Sequence, residues 1–547
     1  MIKVRNERVV QTRPEALTRE RSNVNDETLA PPDREPPLPP TSLIPVVVPV
    51  GAHPARAPAG PTRIEAPWSA HAKALAAAAL HAAAGATGTE AVAAVVDFLL
   101  ESKELKGSRL SCAVAVAGGP PLLRGTSEAV NPCSNAKLMT AAYALSVLGP
   151  LHRFPTEMLQ APSGALVVRG AFDPTLTTDD LVAMALALRQ RGIERVPALI
   201  VDNTALKGGN VPRAFDKYGD EDWEYLARPE PLSVNKNALR LVVTPGTHAG
   251  AAAHIDIDNG AFAIHSKVST VDAGATFRIG CDELDTAGVL RRDAHGKAII
   301  EVWGDVAADY RKGKALVMKM PSPTEGFIDR LRFALHSAGI VVDGEVSEAP
   351  APPGSVAVHT HKSKPLGEIL QESLATSNAF DHEMFALAAA QRETGGPVSL
   401  ADATARLESF VADSLGGVSV MANASGIGNE NKLRCQDIVG LLQKAMREPR
   451  LAPLVPALAT PGGKGTLRTR MLGTEAEGRL HAKTGTGEGA CALSGVVGDV
   501  VFSLLVERTA AGREAARAAL DALGIAMAAL EGSASARAPL LLTPELT

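Results

Sequence analysis

The chain has 547 residues, 46% of them hydrophobic and 21% charged, the balance of a soluble globular protein with room for roughly two to four domains. A formal net charge of −5 and the lack of any long basic run remove the electrostatic basis for nucleic-acid binding. Aromatic residues make up only 3%, so alanine, valine and leucine must fill the cores, and no apolar run reaches the ~20 residues of a membrane span.

In chain order, residues 1–65 turn from polar to proline-rich ("LAPPDREPPLPPTSLIPVVVPV") and are predicted to be a disordered or extended leader. No signal peptide is recognisable there, because the first apolar run, from Leu43, is broken by proline and follows many charges. An alanine-rich helical stretch is expected over about 70–105, followed by a buried strand in "SRLSCAVAVAG". "NPCSNAKLMTAAYALSVLGP" opens a helix at Asn131-Pro132 and stops it at Gly149-Pro150. From about 160 to 355, short β-like runs such as "RVPALIVD" and "ALRLVVTPG" mix with one or two helices. Helices return over about 365–395 and 400–415. "GRLHAKTGTG" and "ACALSGVVGDVVFSLLVE" read as two adjacent strands, and a helix closes the chain over about 511–531. The pattern predicts an α+β protein, a helical layer on an antiparallel sheet with a β-rich insertion.

Metal and redox chemistry find little support. Cys112, Cys133, Cys281, Cys435 and Cys491 include no C-x-x-C spacing, which argues against a zinc knuckle or a thioredoxin-type pair and for buried packing residues. His359 and His361 stand as a lone pair in a predicted loop, expected to be solvated. No cofactor and no metal site are expected.

Nucleophile chemistry finds more. Ser134 and Lys137 are three apart at a helix start, so hydroxyl and amine share a face and the free N–H groups of the first turn can hold an oxyanion. A lysine with a depressed pKa can activate serine. The pattern alone is weak, since S-x-x-K arises by chance roughly once or twice in such a chain, and Ser233–Lys236 is a second copy. "LHAKTGTG" adds Lys483, Thr484 and Gly485 on a predicted strand, where lysine and threonine can hold a carboxylate and glycine lets the backbone approach a nucleophile. An S-x-N partner has two candidates, Ser233-Val234-Asn235 and Thr376-Ser377-Asn378. The second leads into a helical pattern and is preferred about two to one on that ground.

These motifs, in this order, resemble the class C low-molecular-mass penicillin-binding proteins, a D-alanyl-D-alanine carboxypeptidase/endopeptidase family. The likeness extends to "GAFDPTLTTDDLVAMALALRQRGIERVPALIVD", to "NASGIGNENKLRCQDIVGLL" and to "GKGTLRTRMLGTEAEGRLHAKTGT", and spans about residues 90–510. It implies a serine β-lactamase/DD-peptidase-like domain, built from 66–160 and 355–535 and interrupted by β-rich inserted domains over 161–354. A smaller nested domain is implied at about 245–316, and 536–547 are a tail. It demotes Ser233 to a structural stretch.

The roles it implies are an acyl-enzyme on Ser134, Lys137 as its base, and Thr376 and Asn378 relaying a proton and orienting the peptide. Lys483, Thr484 and Thr486 would bind a terminal carboxylate beside Gly485, and the backbone N–H groups of Ser134 and Thr486 would form the oxyanion hole. Peptidoglycan stem peptides would be the substrate and β-lactams covalent inhibitors, in a periplasmic or other extracytoplasmic setting. Thr376 in place of serine, and Gly487 where the family often has leucine, depart from the pattern. An esterase or β-lactamase on the same scaffold, and a non-catalytic peptidoglycan-binding protein, are the competing readings.

Overall fold

The computed structural model describes residues 64–535 apart from 219–223, 258–261, 276–277, 283–290, 295–296, 312 and 321, so the predicted leader up to residue 63 and the tail 536–547 lie outside the described residues. Two helices come first, α1 (Ser69–Ala82) and α2 (Gly88–Leu100), where the sequence predicts one. Gly85 at φ +89° breaks the stretch, and Thr87 in extended backbone starts the second helix; the left-handed region at a helix end is where glycine is favoured. β1 (Arg109–Val116) and β2 (Leu122–Gly125) follow, then a 3-10 turn over Cys133–Asn135 that runs into α3 (Ala136–Leu148).

The middle of the chain carries β3 (Pro155–Gln160), β4 (Leu166–Gly170), α4 (Thr178–Gln190), β5 (Arg195–Val196) and β6 (Leu199–Asp202). Next come β7 (Ala238–Thr244), β8 (His254–Ile257), β9 (Ala263–Val271), β10 (Arg278–Asp282), β11 (Ile299–Ala307) and β12 (Lys314–Lys319). α5 (Pro323–Ser337), β13 (Val341–Val342), β14 (Val346–Glu348) and β15 (Val356–Lys362) complete it. The last third holds α6 (Leu366–Thr376), α7 (Ala379–Thr394), α8 (Leu400–Leu415) and α9 (Cys435–Ala445), then β16 (His481–Gly487), β17 (Ala490–Val497), β18 (Val500–Glu507) and α10 (Arg513–Ser535).

The sheet that organises the site has the order β16-β17-β18-β1-β2 and is antiparallel throughout. "ACALSGVVGDVVFSLLVE", read from sequence as one strand, is a hairpin whose turn is Gly498-Asp499, with Gly498 at φ +52°. Helices cover both faces. Cys112 and Val114 of β1 pack with α1, α2 and α10, while Ala113 and Ala115 pack with α3, α7, α8 and α9, the two-residue alternation of a strand. Because both faces are dry, all of β17 is buried and shows no polar alternation. Each fully buried valine or leucine contributes roughly 1.5–3 kcal/mol.

α3 lies at the centre, buried on every side from Ala136 to Leu145. Its alanines allow neighbouring helices to close in. The anomaly is Lys137, a lysine in the middle of that buried stretch.

A separate sheet, β14-β6-β4-β3-β15, is covered by α4 and α5 and takes strands from both sides of 161–354. His359 and His361 lie on β15, not in a loop, and His361 Nε2 is 3.8 Å from Asp173. Two small sheets, β10-β11-β9 and β12-β7-β8, share a core that includes Leu241 and Val302. No helix among the described residues is long and apolar enough to cross a membrane.

Candidate active site

Ser134 sits in the 3-10 turn just ahead of α3, half-buried, at the edge of the sheet next to β16. Cys133 before it is held at φ +47° by its N–H, which donates to Asn131 Oδ1 at 2.8 Å. A non-glycine residue in that region is costly and persists only where the surroundings over-determine it. The turn aims the Ser134 hydroxyl at the amine one helical turn on: Lys137 Nζ donates to Ser134 Oγ at 3.0 Å.

Lys137 is 1% exposed. Its second partner is the carbonyl of Ser425. That carbonyl belongs to a turn fixed from several directions. Asn423 Oδ1 accepts from Gly426 N at 2.8 Å, Thr140 Oγ1 of α3 donates to Ala424 O at 2.7 Å, and Glu383 Oε2 of α7 accepts from Ala424 N at 3.2 Å. Gly426 has no substitute here, because a Cβ on it would lie 2.0 Å from Cys133 O. Burial drives the Lys137 pKa down to about 7, against the opposing pull of Glu383 and Asp381. A lysine poised there is neutral for much of the time at neutral pH, which is what a general base requires.

β16 forms the other wall. Gly485 packs onto the turn so closely that a Cβ would meet Cys133 Cβ and Asn135 Nδ2 at 2.9 Å. Lys483, 0% exposed, donates to Ser377 Oγ at 2.8 Å and to Thr484 O at 2.9 Å. Burial first, and the Lys137 charge second, hold its pKa well below the usual lysine range. On the opposite face of the strand, Thr484 Oγ1 donates to Thr466 Oγ1 at 2.8 Å, and Thr486 is exposed and accepts from Arg517 Nη2 at 3.1 Å. The assembly is a serine, two pKa-depressed lysines and a second hydroxyl at one strand edge, equipment for acyl transfer.

A family model described as D-Ala-D-Ala carboxypeptidase 3 (S13) matches residues 92–527. The chain belongs to the S13 family. The S13 chain is 30% identical over 446 residues, 75% of its length and 80% of the relative's, to a D-alanyl-D-alanine carboxypeptidase of Actinomadura sp. (strain R39). Among solved structures it is similar to penicillin binding protein 4 from Haemophilus influenzae, with a TM-score of 0.67 at 20% identity over 79% of this chain and 98% of that one. The same protein complexed with a β-lactam gives a TM-score of 0.63 at 20% identity, over 79% and 98%. The α+β fold with a DD-peptidase-like domain and inserted domains is therefore the S13 fold, and the chain is a serine-type D-Ala-D-Ala carboxypeptidase by family.

Within the S13 chain, the sequence-predicted residues Ser134, Lys137, Lys483 and Gly485 come together. Thr376 does not join them. It is the last residue of α6, and its hydroxyl donates back to Glu372 O at 2.8 Å, the usual i→i−4 bond of a helical threonine. Ser377, one residue on, takes φ +62° and ends the helix, and that turn carries its hydroxyl to Lys483. Asn378 caps α7, its Oδ1 accepting from Asp381 N at 3.0 Å.

Sequence reasoning also missed Glu383 and Asp381. Their signal was present as three titratable residues in a row, Asp381-His382-Glu383, inside an apolar helix. All three are at most 2% exposed, and burial together with Lys137 keeps His382 uncharged by pushing its pKa well down. All five cysteines are buried and none is in a disulfide.

Proposed function

We propose that Ser134 is the acylated nucleophile of a DD-carboxypeptidase acting on D-Ala-D-Ala-terminated stem peptides of peptidoglycan, outside the cytoplasmic membrane. The observation that carries this reading is the 3.0 Å approach of a buried, pKa-depressed Lys137 to the Ser134 hydroxyl in a chain of the S13 family. Neutral Lys137 takes the Ser134 proton as Oγ attacks the carbonyl carbon of the penultimate D-alanine. The carbonyl π pair moves onto oxygen, where the backbone N–H groups of Ser134 and Thr486 receive it.

Collapse of the tetrahedral intermediate breaks the C–N bond. The leaving amine of the terminal D-alanine takes up the proton that Lys137 accepted from Ser134, and the Ser377 hydroxyl, held by Lys483, is placed to assist that transfer. Water then attacks the acyl-enzyme with Lys137 again accepting a proton, and Ser134 is regenerated. Lys483 and the two threonines of β16 hold the terminal carboxylate. A β-lactam would enter the same path, its ring amide taking the place of the scissile bond, which accords with the β-lactam complex of the Haemophilus influenzae protein.

Mass spectrometry of a pentapeptide muropeptide incubated with the enzyme tests this. Loss of one D-alanine from the substrate, together with a penicilloyl adduct on the peptide bearing Ser134, is the expected result. Intact substrate and an unmodified Ser134 peptide would overturn it.

A further inference from the structure

The residues of β16 alternate: Lys483 and Gly485 face the Ser134 turn, while Thr484 and Thr486 face the side covered by α10. On that side a guanidinium waits. Arg517, in the second turn of α10, donates from Nη2 to the Thr486 hydroxyl at 3.1 Å and lies 4.9 Å from the centre of the Trp68 ring.

Among the described residues its neighbours leave it without an ion pair of its own. Arg470, over the same ring at 5.6 Å, holds Asp521 with Nε and Nη2, and Trp68 Nε1 donates to Asp521 at 2.7 Å. The one carboxylate of this cluster is thus already engaged. Arg517 forms no ion pair among the described residues, and Arg513 and Arg470 add further positive charge around it. Burial, reinforced by those two arginines and opposed by Cys491 and Asp521, pushes its pKa down from the usual guanidinium value. A planar fork fixed by a ring beneath it is pre-organised for a carboxylate.

We propose that Arg517 is a specificity-determining residue of this site, which binds the C-terminal carboxylate of the substrate together with the hydroxyl of Thr486. The proposal rests on the acyl-transfer reading above and deepens it. It assigns the choice of a free C-terminus, over an amide or ester, to a residue on α10 that lies outside the S-x-x-K and K-T-G segments. A carboxylate arriving beside Thr486 would supply the negative charge that the Arg470, Arg513 and Arg517 cluster lacks. A neutral terminus would leave the guanidinium desolvated and unpaired, which is how a polar site rejects a near-isosteric analogue.

The test compares two acyl-D-Ala-D-Ala peptides, one with a free carboxylate and one with a C-terminal amide, in wild type, R517Q and R517K. In R517Q, kcat/KM for the carboxylate substrate should fall by about 10- to 100-fold, mostly through KM, and that for the amide by less than about twofold, so discrimination collapses. R517K should lie between, because it keeps the charge and loses the fork. Should R517Q fail to fold, as read by its thermal melt, R517K alone decides: a several-fold loss confined to the carboxylate substrate is required. Equal loss on both substrates would make Arg517 a purely structural residue, and unchanged discrimination would remove it from the site; either overturns the proposal. A wild type that releases no D-alanine and takes no penicillin on Ser134 would instead overturn the acyl-transfer reading itself.

Discussion

Ser134–Lys137 and Ser233–Lys236 are the same four-residue pattern, and the structure folds them into opposite arrangements. The first pair spans the entry into α3, where three residues make nearly one turn, and amine and hydroxyl meet at 3.0 Å. In the second, Asn235, Lys236 and Asn237 all take positive φ, at +51°, +58° and +49°. That run reverses the chain and sends the two side chains apart. Ser233 Oγ donates to Glu230 O at 2.8 Å and accepts from Asn237 Nδ2 at 2.8 Å, a buried brace within its own loop. Lys236 leaves the loop and forms an ion pair with Asp381, at the start of α7. Residue spacing carries chemical meaning only once the backbone between the residues is known.

The comparison breaks most sharply at the two serines. Ser134→Ala should abolish acylation by a fluorescent penicillin, a loss of at least ~1,000-fold for removal of a nucleophile. Ser233→Ala should leave labelling within about twofold and instead lower stability by about 1–3 kcal/mol, the cost of leaving buried partners unsatisfied. Gel fluorescence and a denaturant melt on the same two variants separate the cases; equal labelling of Ser134→Ala and wild type would dissolve the distinction.

At the lysines the expected contrast is smaller. Lys137→Met should slow acylation by about 100- to 10,000-fold, the range of a general base, whereas Lys236→Met should cost about 1–3 kcal/mol of stability by stranding the buried carboxylate of Asp381. The acylation rate should also rise as pH climbs through about 7, where Lys137 loses its proton. Glu383 is the largest of the groups that favour the charged amine. Glu383→Gln should therefore lower the Lys137 pKa and move that limb to lower pH. A stopped-flow pH profile reads the shift, and a limb displaced upward would contradict the sign.

Thr376 and Ser377 sharpen the lesson at single-residue resolution, and they mark where the sequence stops being legible. Ser377→Ala should slow acylation by about 10- to 100-fold, the loss of one hydrogen bond to the buried Lys483 amine, and Thr376→Val by less than about twofold, measured as rates of penicillin labelling. The sequence points to Thr376 through the helical pattern that follows its segment and through the literal S-x-N spacing to Asn378. Adjacent helical residues point about 100° apart, and the choice between them turns on a left-handed serine at a helix end, a conformation that composition does not announce.

The same limit explains the other differences. S-x-x-K and K-T-G are readable because the first follows a single helical turn into α3 and the second lies within one strand, so local period fixes which residues share a face. Arg517 was invisible because its link to Thr486 is made by packing α10 against the sheet, across a strand hairpin. That hairpin did carry a local signal, Gly498-Asp499 between two apolar runs, the usual mark of a two-residue turn. It was masked by the burial of both strands on both faces.

The smallest expected effect is one residue from the nucleophile. Cys133 touches the site on all sides: its Cβ faces Gly485, its sulfur would lie 3.2 Å from a Cβ on Gly487, and its carbonyl abuts Gly426. Yet burial drives the thiol pKa far up, so no thiolate is available to attack a carbonyl. Its position reflects packing at a strained turn, where a small side chain fits against the glycine of β16. Cys133→Ala keeps the Cβ and the backbone conformation and vacates only the sulfur, so the cost should be about 1 kcal/mol of stability, with penicillin labelling within about twofold of wild type. Cys133→Val places a β-branched residue at φ +47°, a true outlier for such side chains, and should slow labelling by displacing Ser134. If the alanine variant were the slower of the two, sulfur chemistry would belong to the mechanism; if the valine variant is slower, the residue serves the nucleophile through shape alone.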